Sequence, residues 1–119
     1  MANEHLQTAA ANLQRAAQDV RETERRVHNE LEELKRNSAE SIKQAEQQIK
    51  QLQQSIFYTN VTDATKIAAG LQQQNLRSDI ANIKKDTDQR VQAMNQQLKA
   101  LSGQENEFSN LANHLSNIA

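Results

Sequence analysis

The sequence predicts an all-α protein: a long antiparallel helical hairpin of coiled-coil character, whose arms pair with those of a second copy into a four-helix dimer. Three observations lead there. The chain has no proline and only two glycines, Gly70 and Gly103, and it is written mainly in helix-favouring Gln, Glu, Lys, Arg, Ala and Leu. Its apolar residues recur in alternating steps of three and four, as in a coiled coil. Both halves interrupt that rhythm in the same way, at positions mirrored about residue 61.

Arm one is expected over about 3–58. Leu6, Leu13, Val20, Val27 and Leu34 repeat every seven residues, and Ala10, Ala17, Glu24, Leu31 and Ser38 form a second row four residues on. So narrow a stripe suits a helix that meets one or two partner helices, not one sunk in a globule. At Leu31, Leu34, Ser38 and Ile42 the steps become three, four and four, before Ala45, Ile49, Leu52 and Ile56 resume the alternation. Such an eleven-residue step relaxes the left-handed supercoil locally.

Arm two, about 76–118, repeats the device at Ile80, Ile83, Thr87 and Val91. Met94, Leu98, Leu101, Glu105, Phe108, then Leu111 or Ala112, Leu115 and Ile118 carry the stripe onward. Two helices packed side by side must change supercoil at the same height, so the mirrored steps predict a hairpin. That symmetry pairs Ile42 with Ile80, Leu31 with Val91, Leu13 with Phe108 and Leu6 with the neighbourhood of Leu115. Reading straight through the middle instead would place Thr59, Asp63 and Lys66 in the seam, a polar run with no evident partners.

The tip, about 59–75, begins within the stretch FYTNVTDAT (57–65), where Asn60, Thr62 or Asp63 can cap the next helix, although no Glu follows at the capping-box position. Phe57, Tyr58, Val61, Ile67 and Leu71 are the candidate contact residues of this end. Gly70 and the Ser102-Gly103-Gln104-Glu105 run are helix-stop signals, so a short tip helix ending at Gly70 and a bend near Gly103 are expected alternatives. With both breaks, the single helical domain 1–119 becomes a compact three- or four-helix bundle.

Composition bounds the function more than any motif does. A chain only 36% hydrophobic with 3% aromatic residues has too little apolar volume for a thick core. Residues 1–60 carry nine acidic and eight basic groups and residues 61–119 six of each, which argues against a phosphate-tracking face and so against a nucleic-acid partner. Acid-first pairs such as Glu22 with Arg26, Glu32 with Arg36, Glu46 with Lys50 and Asp86 with Arg90 support helix and identify no partner. No window reaches the apolar length of a membrane span, and the N-terminus lacks a cleavable-signal pattern, so the expected location is cytoplasmic, or outside the cell by a route needing no such signal.

No catalytic, cofactor-binding or metal site is expected. The chain has no cysteine, its three histidines (His5, His28, His114) lie outside any nucleophile motif, and no Glu-x-x-His occurs to build a di-metal bundle. Asn60-Val61-Thr62 matches a glycosylation acceptor but reads more simply as turn and cap. Among the seam positions Leu13, Val20, Val27, Leu31, Leu34, Ile42, Ile49, Ile80, Ile83, Val91, Met94, Leu98 and Phe108, the polar interruptions Glu24, Ser38 and Thr87 are candidates for setting register or partner choice.

The expected function is therefore non-enzymatic: a self-associating scaffold, adaptor or chaperone that binds a second copy or another helical protein, with no small-molecule substrate. In size and hairpin plan the chain resembles the WXG100-type proteins of type VII secretion. Its tip has no Trp-x-Gly and its end no Tyr-x-x-x-Asp/Glu. That resemblance implies, as the alternative, a small secreted or secretion-associated helical protein.

Overall fold

The computed structural model describes residues 2–58 and 62–118, with side chains placed for all of these but 2, 57 and 58. Two helices, α1 (Ala2–Tyr58) and α2 (Asp63–Ile118), make an all-α helical hairpin with no strand among the described residues. The chain gathers into two compact units. Unit 1 joins α1 up to Leu31 with α2 from Val91 onward, and unit 2 comprises Glu32–Arg90. In each, a stretch of α1 packs antiparallel to a stretch of α2.

Hydroxyl residues that would otherwise favour turns are absorbed into α1. Thr8 Oγ1 donates to the Glu4 carbonyl at 2.9 Å, Thr23 to Asp19 at 3.1 Å and Ser55 to Leu52 at 2.9 Å, so each satisfies itself on the preceding turn. Thr62 is the residue that starts α2. Its Oγ1 accepts the Thr65 N–H at 3.3 Å and its carbonyl accepts the Lys66 N–H at 3.0 Å, while Asp63 supplies negative charge to the first turn. The Thr65 hydroxyl lies 2.9 Å from that of Thr62, occupying the place a Glu or Gln holds in a capping box. Asn60, another candidate cap, lies outside the described residues.

Neither glycine breaks a helix. α2 runs through Gly70 and Gly103 without interruption, which removes the short tip helix and the compact three- or four-helix bundle. Both glycines keep ordinary helical backbone, and no C-cap with positive φ forms at either. The stripe does not lapse after Gly70. Buried Ala69 and half-buried Gln73 carry it to Leu76, and these small and polar residues gave no apolar signal.

The register also differs from that expected. In unit 2 the Thr87 hydroxyl donates to Ser38 Oγ at 2.7 Å across the helix pair. With these short side chains opposed, Ile42 comes level with Ile83 and Ala45 with Ile80, instead of Ile42 with Ile80. In unit 1, Arg21 reaches Glu105, and Gln14, Ala17 and Gln18 share a groove with Ser109 and Asn113. That sets Phe108 against Ala17, Leu13 against Ala112 and Leu31 near Met94, not Leu13 against Phe108 or Leu31 against Val91. The offset is about one helical turn. The spacings Leu31, Leu34, Ser38, Ile42, Ala45 and Ile80, Ile83, Thr87, Val91, Met94 both step by three, four, four and three, and only the observed register lines up all five positions. The expected pairing matched only the ends of the eleven-residue steps and set Ser38 against Lys84, whereas centring the two spacings on each other opposes Ser38 to Thr87.

Candidate functional site

The seam is the feature with most chemical content. Its buried apolar side chains among the described residues are Ala10, Ala17, Val27, Leu31, Ala69 and Ala112. The remaining expected seam residues, Leu13, Val20, Leu34, Ile42, Ile49, Ile80, Ile83, Val91, Met94, Leu98 and Phe108, are half-buried. Ala112 takes the seam position left open between it and Leu111, and Leu111 is 51% exposed. No large side chain among the described residues is fully enclosed. One layer of helix contact covers each stripe from one side only.

Of the polar interruptions, Ser38 and Thr87 satisfy each other, as described. Glu24 belongs to a cluster on unit 1. Arg21 Nε donates to Glu105 Oε1 at 2.6 Å, and Arg21 Nη1 donates to Gln18 Oε1 at 3.1 Å. The Glu24 carboxyl lies beside that of Glu105, and its Oε1 is buried with no hydrogen-bond partner. The hydrogen bond that a protonated Glu24 can give Glu105, then burial and the Glu105 charge, raise the Glu24 carboxyl above its ordinary value, while His28 and Arg21 pull the other way. The Glu105 carboxyl is lowered, chiefly by hydrogen bonds from Arg21 and then Glu24. Two neighbouring carboxyls with one guanidinium thus separate into an acid that holds its proton longer and one that gives it up sooner.

Arg21–Glu105 is the ion pair among the described residues. The acid-first pairs along one helix, such as Glu22 with Arg26, keep their side chains apart in solvent. An exposed pair of that kind gains little over the entropy of two long side chains.

In unit 2, Ile67 is 65% and Leu71 58% exposed, one turn apart on α2. The Phe57 and Tyr58 side chains and Val61 lie outside the described residues. Open grooves on unit 2 are lined by residues such as Gln48, Gln51 and Gln72 or Asn82, Lys85 and Gln89, and their amides and charges do not converge on one point. Among the described residues no three His, Cys, Asp or Glu side chains come together as a metal would need. No described helix is long and apolar enough to cross a membrane.

Sequence reasoning marked Glu24 and Glu105 as acids in the seam but did not join them to each other or to Arg21. That meeting depends on the register, which was expected about one turn away. No known family model, curated protein or solved structure matches the chain.

Proposed function

We propose that the chain is a non-enzymatic interaction protein, a helical hairpin that self-associates and serves as a scaffold, adaptor or chaperone for other helical proteins. The observation that carries this reading is the half-burial of the seam's large residues, from Leu13 and Val20 in unit 1 to Ile42, Ile49, Ile80 and Ile83 in unit 2. Apolar surface left in water is worth about 25 cal/mol per Å² to whatever covers it, so a second helical layer is the economical cover. A second copy brings the same stripe at no cost in specificity and makes a closed, two-fold pairing. Exposed Ile67 and Leu71 offer a further apolar contact near the start of α2.

Static light scattering over a dilution series tests the self-association. A mass twice that of the chain, falling to the monomer on dilution, is the expected result. Monomer mass at every concentration would remove the homodimer and with it this reading.

A further inference from the structure

We propose that Glu24, Glu105 and Arg21 form a proton-sensitive latch on unit 1: one proton held between the two carboxyls keeps the helix pair closed there, and its loss loosens the pairing. The geometry supplies the asymmetry. Arg21 Nε is committed to Glu105 Oε1 at 2.6 Å, and its Nη1 to Gln18. Glu24 is left beside Glu105 on the seam row that also holds Ala17 and Leu31, with Oε1 enclosed and unpartnered. When both carboxyls are ionised, one guanidinium faces two negative charges and an enclosed carboxylate oxygen has no donor, an arrangement that disfavours the closed seam. A proton between the carboxyls removes one charge and supplies the missing hydrogen bond.

Three groups act on Glu24: Glu105 from α2, and Arg21 and His28 from α1. His28 is exposed, and when protonated it opposes proton uptake by Glu24. Because Glu24 is raised in the folded chain, its contribution to stability is complete below the ordinary carboxylate value and is lost as pH rises through the raised value. Because Glu105 is lowered, its contribution is present above the ordinary value and is lost as pH falls through the lowered one. Unit 1 is therefore tightest near the ordinary carboxylate range, about pH 4 to 5, and loosens towards neutrality.

Amide hydrogen exchange on the intact chain, corrected for intrinsic rates, reads this directly, with unit 2 as internal reference. Between about pH 7 and about pH 5, protection of amides around Val27 and Leu98 is expected to rise several-fold relative to those around Ile42 and Ile83. Glu24→Gln keeps a donor beside Glu105 without the charge. It is expected to give the high protection already at neutral pH and to abolish the pH dependence. In carboxyl-carbon NMR, Glu24 is expected to titrate above Glu105, and Arg21→Gln to move Glu105 upward. A Glu24→Gln variant with the pH dependence of the parent chain would overturn the latch, as would two carboxyls titrating together in the ordinary range.

Discussion

Units 1 and 2 are built from the same two helices and solve the same packing problem differently. Unit 1 holds Ala10, Ala17, Val27, Leu31 and Ala112, while unit 2 holds only Ala69 among the buried apolar residues described. In unit 1 small residues oppose large ones, Ala17 against Phe108 and Leu13 against Ala112, which buries the alanines while Leu13 and Phe108 stay half-buried. In unit 2 Ile42 faces Ile83 and Ala45 faces Ile80 on one side of the hydroxyl pair, and all four stay half-buried. One unit spends its seam on burial and tolerates an acid pair there. The other spends it on alignment.

The largest test of that contrast is truncation. Leu31→Ala in unit 1 is expected to cost about 2 to 3 kcal/mol, and Ile49→Ala in unit 2 about 1 kcal/mol, because the cost of a cavity follows how completely the residue was enclosed. Denaturant unfolding of both variants measures it, and equal losses would erase the distinction. Next in size is the hydroxyl pair. Ser38→Ala alone strands the Thr87 hydroxyl and is expected to cost about 1 kcal/mol, whereas Ser38→Ala with Thr87→Val is expected to be nearly neutral in stability. If the double variant loses as much as two independent deletions, the pair is not one interaction. Smallest, and equal in both units, is the backbone effect. A Cβ at Gly70 or Gly103 meets nothing within 4 Å, so Gly70→Ala and Gly103→Ala should each gain about 0.5 to 1 kcal/mol of helix stability. A loss at either would show a need for glycine that its surroundings do not reveal.

These differences mark where the sequence was informative. The helical hairpin and the membership of its seam were legible because partial burial repeats at the steps of three and four that apolar residues follow, from Leu6 to Ile56 and from Leu76 to Leu115. Register was misread, because the expected pairing matched the ends of the eleven-residue steps and left out Ala45 and Met94, which complete the two matching spacings. The pairing of Ser38 with Thr87 depends on hydrogen-bond direction and length, which hydropathy does not encode. Gly70 and Gly103 misled for a related reason: a stop signal is a local preference, and seam contacts on both sides of it outweigh about 1 kcal/mol. Of the candidate site, the two seam acids could be read individually, but their shared neighbourhood with Arg21 required the register first.

The matching of the two arms has another consequence. A seam composed wholly of pairs between α1 and α2 does not record which polypeptide supplied each helix. Ser38 would find Thr87, and Arg21 Glu105, equally well on another molecule. What keeps the arms of one chain together is the short connection from Tyr58 to Asp63, which holds α2 at a high local concentration beside α1. Exchange of arms between chains keeps both of those pairs, and the local concentration set by the connection is what that exchange competes against.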